Sequence, residues 1–253
     1  MWKTSLGIAF LTLVMAGSAR AQTGVGYPDE YALRPLQLPT GMVQLKVPVV
    51  INLSKGAVAS PVFIPFDLRL GLTDELEMRI FHPVHGLCVS GHAKGCGHIY
   101  NDLALGMLYS VMREQGMELS LLGAVEVDSF ASPALVRLDA GVAFKYVHAP
   151  YSIATWPYVG IGISHRDGNG DSINLPVEFA YQLSSPTALF LESGLYGATR
   201  DFGNTWSMPL GVGINYLLQH GVDMGAEFKL DDAIGNGSGG DAREFIFYFA
   251  LRN

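Results

Sequence analysis

Between Phe66 and Phe81 the chain reads FDLRLGLTDELEMRIF, with an apolar residue at every second position. Phe66, Leu68, Leu70 and Leu72 share one face, and Asp67, Arg69 and Gly71 the other. After the polar turn 73–75, Leu76, Met78 and Ile80 alternate with Glu77, Arg79 and Phe81. Successive strand side chains point to opposite faces, so alternation on both sides of a tight turn predicts a β-hairpin. The rhythm runs from Met42 almost to the C-terminus, broken by turn residues at regular intervals. Strands are predicted at about 42–53, 61–72, 76–82, 103–110, 117–126, 136–146, 159–163, 173–182, 189–196, 206–216, 222–231 and 245–251. Residues 22–41 lack the alternation, carry Pro28, Pro35 and Pro39, and read as an arm ahead of the strands.

Joined in order, about twelve strands make an up-and-down meander. Their connections alternate between short ones (73–75, 113–116, 184–186, 219–221) and longer ones rich in Gly, Asp and His. Tilted strands of about 9–11 residues cross a bilayer, and even-stranded outer-membrane barrels have short periplasmic turns and longer outer loops. Alternation alone suits a soluble sandwich equally well. The aromatics separate the two. Tyr109, Tyr146, Tyr181 and Tyr216 each stand on the apolar face just before a short turn, and Phe249 holds the same level in the last strand. A soluble core gives tyrosines no reason to share one depth. A membrane interface does, because the ring settles among headgroups while its hydroxyl stays wet. The expected fold is therefore all-β: a closed antiparallel transmembrane β-barrel of about 12 strands, apolar face to lipid, both termini in the periplasm.

Composition points the same way. Charged residues are 15% of the 253-residue chain, against roughly 25% in soluble domains. Mean hydropathy is +0.26, yet beyond the first segment no apolar run approaches the ~20 residues of a spanning helix. In lipid every backbone polar group must pair internally, which leaves the closed barrel. Residues 1–21 read as a secretory signal peptide, with Lys3, an apolar run over 6–15 and the small-residue cleavage site Ala19-Arg20-Ala21. The expected organisation is a signal peptide at 1–21, a periplasmic arm at 22–41 and an outer-membrane barrel at 42–253. A net charge of −7 without clustered Lys and Arg argues against a nucleic-acid partner. Cys88 and Cys96, close together in an exported chain, are expected to form a disulfide.

The hairpin 66–81, the segments FAYQLSSPTALFLE (179–192) and INYLLQHGVDMGAEF (214–228), and the arm YALRPLQLPTG (31–41) resemble Gram-negative outer-membrane β-barrels. The nearest resemblance is to the family named for the meta-pathway of phenol degradation, and it covers most of the mature chain. It implies an outer-membrane transporter, with the lipid bilayer and the barrel-assembly machinery as partners and small molecules as cargo. It brings no catalytic residue and no cofactor. One departure stands at the C-terminus. Such barrels finish on an aromatic, whereas Phe249 is followed by Ala250-Leu251-Arg252-Asn253, so the assembly signal would be read at Phe249 with a short overhang.

Two constellations carry candidate chemistry. The segment HPVHGLCVSGHAKGCGH (82–98) holds His82, His85, His92 and His98 with both cysteines. Imidazoles and thiols ligate zinc or copper, but this spacing fits none of the standard zinc patterns. A disulfide-pinned loop without metal is the expectation. The polar face of the strands carries Asp67, Arg69, Glu77, Arg79, Asp102, Glu118, Glu126, Arg137, Asp139, Lys145, Glu178, Glu192, Asp223, Glu227 and Lys229, with Lys46, Asp128, Asp231 and Arg252 among them. Lining a lumen, these charges must pair across it or stay hydrated. A plugging network and a pore both satisfy that, and a pore ringed by carboxylates prefers cations. Ser164-His165 lies at a strand end, but without a Gly-x-Ser-x-Gly elbow no hydrolase is expected. The functional expectation is a small-molecule channel with an acidic lumen. The alternative is a structural or surface-interaction barrel that transports nothing.

Overall fold

A sheet with one apolar and one polar face removes its edges by closing on itself, and this one does. The computed structural model describes residues 27–90, 98–130, 133–236 and 241–253. The signal peptide expected at 1–21 lies outside them, as do His92 and Cys96. The strands are β1 (Val43–Asn52), β2 (Val62–Ile64), β3 (Asp67–Gly71), β4 (Leu76–Phe81), β5 (Leu87–Ser90), β6 (Leu103–Glu114), β7 (Met117–Ser129) and β8 (Leu135–His148). They continue as β9 (Tyr151–Thr155), β10 (Tyr158–Gly162), β11 (Ser172–Ser184), β12 (Thr187–Ala198), β13 (Ser207–Gln219), β14 (Val222–Gly235) and β15 (Arg243–Arg252). All pair antiparallel with their neighbours, and β15 returns to β1 in register from Gln44 opposite Arg252 to Asn52 opposite Glu244.

Three staves are broken in two, β2 with β3, β4 with β5, and β9 with β10, so the closed antiparallel barrel has 12 staves. Each break contains a proline: Pro65, Pro83 and Pro157. Proline has no N–H to give the ladder, so the stave bends there and resumes. β5 and β9 are of four and five residues, too short to declare a period, and they fall where the alternation predicted no strand.

The two faces differ as the period requires. Outward side chains include Leu121, Val212 and Tyr109, 51%, 56% and 52% exposed, while Ser120 beside Leu121 and Asn215 on the strand of Val212 are buried inside. Short turns gather at one end of the barrel. One of them, Gln115-Gly116, has φ +48° and +80°, the pair of positive values that suits a two-residue hairpin to the strand twist. Among the described residues no helix is long and apolar enough to cross a membrane. Within those residues helix is confined to a 3-10 turn at Tyr31–Leu33 and short pieces at Thr199–Asp201 and α1 (Phe202–Thr205).

The interior is filled partly by the N-terminal arm. Ala32 packs with Ala180, Phe190 and Tyr248, and Leu36 packs with Leu108 and Ala143. A third cluster joins Val50, Phe63 and Cys88 nearer the long loops.

Candidate functional site

An irregular segment inside a barrel must find partners for backbone groups that no ladder satisfies. The arm finds them in carboxylates and an amide on the wall. Leu36 N–H donates to Glu118 Oε2 at 2.7 Å, Leu38 N–H to Glu77 Oε2 at 2.8 Å, and Ala32 N–H to Gln182 Oε1 at 3.0 Å. Tyr31 donates its hydroxyl to Glu178 at 2.8 Å. Arg34 forks onto Asp223 at 2.8 and 2.9 Å, and Arg252 donates to the same carboxylate. The segment 31–38 thus lies across the short-turn mouth instead of standing ahead of the barrel. Ala32, Gln37 and Leu38 have no exposed surface. Where the arm leaves the mouth, an added Cβ on Gly71 would meet Pro39 O at 1.9 Å, so only glycine admits it. Beyond it, Thr40 donates its hydroxyl and N–H to Asp74 and holds that carboxyl below its usual range.

Asp67, Arg69, Glu77 and Arg79 all face inward. Arg69 stands opposite Arg79 across β3 and β4, and each is matched by an acid: Glu77 at 2.7 Å from Arg69, Asp67 at 2.8 Å from Arg79. Higher in the barrel one guanidinium serves three carboxylates. Arg137 contacts Glu126, Asp128 at 3.4 Å and Asp139 at 3.1 Å. Lys229 pairs with Asp231 at 3.1 Å. On the far wall Glu178 lies directly opposite Glu192 in register, with Glu227 on β14 nearby. Lys145 is buried at 7% exposure within electrostatic reach of Glu118 and Glu178.

The described interior retains open space in at least two places. One of about 170 Å³ lies beside the arm, lined by Tyr31, Arg34, Lys145, Glu178 and Tyr248. The other, of about 390 Å³, is lined by Phe81, Leu108, Leu122, Tyr158, Glu126 and Asp139. Leu36, Lys46, Arg69 and Trp156 line both and stand between them. Trp156 is placed by the break before Pro157, where the bent chain crowds Gly141: an added Cβ there would meet Pro157 O at 2.1 Å.

The histidine loop is organised by Asp102. His82 Nδ1 lies 3.1 Å from its Oδ1, and the N–H groups of His85 and Gly86 donate to Oδ2 at 2.7 and 2.9 Å. Burial alone would raise the Asp102 pKa, but these hydrogen bonds outweigh it and hold it below the carboxylate range. His82 is wedged between Phe66 and Tyr100, and His85 against Phe63. His98 is exposed, its N–H donating to Asn101. Among the described residues no three His, Cys, Asp or Glu groups are placed to hold a metal. Cys88 is buried, and Cys96, its expected partner, lies outside the described residues. Ser164 bonds the backbone of Ala134 and Val136, a structural use of its hydroxyl.

On the outer face Tyr109, Tyr146, Tyr181, Tyr216 and Phe249 sit at the short-turn end. Tyr216 and Phe249 flank Met224 from either side, and Tyr181 stands opposite Tyr151. Ring contacts run on through His148 and Tyr151 to Phe179.

Tyr31, Arg34, Leu36, Trp156 and Tyr248 were not among the residues the sequence reading placed at the site. One signal was present. Glu77, Glu118 and Asp223 each follow a short turn by one apolar residue (TDE-L-E, QG-M-E, HG-V-D), which sets a ring of acids at one level.

No family model and no curated protein matches the chain. Solved barrels do. The NanC porin aligns with a TM-score of 0.58 at 11% identity over 82% of this chain and 98% of that one. The KdgM porin aligns at 0.56 and 8% identity, again over 82% and 98%. An outer membrane channel from Pseudomonas putida F1 aligns at 0.57 and 12% identity, over 92% and 100%. At such identities the likeness is one of fold.

Proposed function

We propose that this chain is a narrow outer-membrane channel for small hydrophilic solutes, with an acidic, cation-preferring lumen whose short-turn mouth is held by its own N-terminal arm. The observation that carries the reading is the pair of cavities inside a closed barrel whose inner wall is charged and whose outer wall is apolar. Three carboxylates share Arg137, and three more, Glu178, Glu192 and Glu227, stand together, with Lys145 and Lys46 acting on Glu178 and Lys229 and Lys46 on Glu227. The excess of acid favours cations at close quarters. The porins and the channel that share the fold support transport, as does the resemblance to the meta-pathway family. The aromatic level at the short-turn end supports a headgroup interface there, with both termini on the periplasmic side.

Planar-bilayer reversal potentials under a KCl gradient test the lumen, and they are expected to show cation preference. Anion preference would contradict it. The lipid-facing assignment has its own test. Val212→Arg places a charge in the apolar belt of β13 four residues from Tyr216, and is expected to cost about 2–4 kcal/mol in urea unfolding from lipid vesicles. A change near zero would mean that this face does not meet hydrocarbon. The filled mouth favours a second reading, a structural barrel that passes nothing. Absence of liposome swelling with small sugars, before and after removal of the arm, would select it.

A further inference from the structure

We propose that Tyr248, Glu178 and Glu227 form a lumenal binding site for primary alkylammonium groups, a site that the side chain of Lys46 fills in this structure. The proposal deepens the channel reading by naming a ligand class, and it rests on that reading only for the route by which the ligand arrives.

Lys46 on β1 reaches along the seam to β15, where its Nζ stands 4.1 Å from the centroid of the Tyr248 ring. An ammonium over a ring face is held by the ring quadrupole, more strongly away from water. The ring is fixed for the purpose. Tyr248 is 2% exposed, and its hydroxyl donates to Asn215 Oδ1 at 2.9 Å. Its strand neighbour is Gly225, where an added Cβ would lie 2.2 Å from the ring, so the bed under the aromatic is cut to its thickness.

The carboxylates supply the second half of the site. Glu227 is 6% exposed, and its Oε1 is buried without a hydrogen-bond partner. That oxygen would lie 2.2 Å from a Cβ on Gly211, so the backbone of β13 is bared to receive the carboxylate. An unpartnered buried carboxylate oxygen is costly, and a cation relieves it. Lys229 acts on Glu227, and Lys145 on Glu178, ahead of Lys46, whose charge reaches both; among the described residues Lys46 itself has the ring and no ion pair. It is a loosely held counter-ion.

Two further observations choose the ligand. Lys46 lines both cavities, and its flexible four-carbon stem lets the ammonium swing off the ring while an incoming one takes its place. The acids nearby do not make a metal cage among the described residues. A compact organic ammonium with an apolar tail, the chemistry of Lys46 itself, is what the ring and the acids together accept.

Equilibrium dialysis of the full-length folded barrel with n-propylammonium tests the site, since this ion replaces the atoms that Lys46→Ala removes. K46A is expected to bind one equivalent about tenfold more tightly than wild type, and K46A/E227Q and K46A/Y248L to lose that gain. Neutral propanol is expected not to bind. K46A binding no better than wild type, or K46A/E227Q keeping the full gain, would overturn the proposal. If K46A does not close into a barrel, wild type decides: weaker but saturable binding that E227Q abolishes supports the site, and none refutes it. Dialysis reads binding without current. A barrel that binds propylammonium but conducts nothing sinks the channel reading alone, and one that conducts cations but binds no propylammonium sinks the site alone.

Discussion

Asp223→Ala is expected to destabilise the barrel by about 3–5 kcal/mol, the usual consequence of removing one partner from a buried ion pair. Asp223 is 1% exposed and accepts from Arg34 on the arm and Arg252 on β15. Without it two guanidinium groups stay inside the mouth with no counter-charge. The damage falls in two places, because Arg34 anchors the arm and Arg252 belongs to the strand that closes the barrel on β1. Urea unfolding of the refolded protein should show the loss. Limited chymotrypsin digestion should show cleavage near Tyr31 and Leu33 that wild type resists. Asp223→Asn, which keeps the shape and one acceptor, should fall between. A wild-type unfolding midpoint together with a protected arm in D223A would show that the clamp holds neither.

Removing residues 27–38 altogether is expected to do something different, raising single-channel conductance several-fold while leaving the barrel closed. The deletion takes Arg34 away with the arm, so Asp223 keeps Arg252, and Glu77 keeps Arg69. Glu118 and Glu178 lose their arm donors but become open to water, which hydrates them without strain on the wall. What disappears is the material that fills the mouth, including Ala32, Gln37 and Leu38 with no exposed surface. Planar-bilayer recordings of the truncated protein make the measurement. An unchanged conductance would mean that the narrowest point lies elsewhere, at the neck formed by Lys46, Arg69 and Trp156.

The contrast between these variants reflects what the sequence could and could not express. Facing is local. Arg69 and Glu77 had to share a face because the strand period is two, and their pairing across the hairpin followed from a separation of only eight residues around a tight turn. The arm is the opposite case. It has no period, and its partners lie 39, 82, 147 and 189 residues away. Only closure of all staves brings those residues to one level. The acids that seat it were visible as lumen residues, but nothing in their strands says that a backbone N–H of Leu36 or Leu38 will meet them. Trp156 was hidden for another reason: beside Pro157 the alternation stops, and with it any means of reading which way the indole turns. Lys46 was legible as a polar-face residue, whereas the bed beneath Tyr248 depends on Gly225, one strand away.

The shared clamp on Asp223 also carries a consequence for the order of assembly. Its two guanidinium partners come from opposite ends of the chain, Arg34 near the start and Arg252 in the final strand. The carboxylate is flanked by Arg252 only after β15 has been laid against β14 and sealed to β1. The seat of the arm therefore has all its charges in place only in the closed barrel, and the shared carboxylate fastens the first of the described segments and the last strand like a single latch.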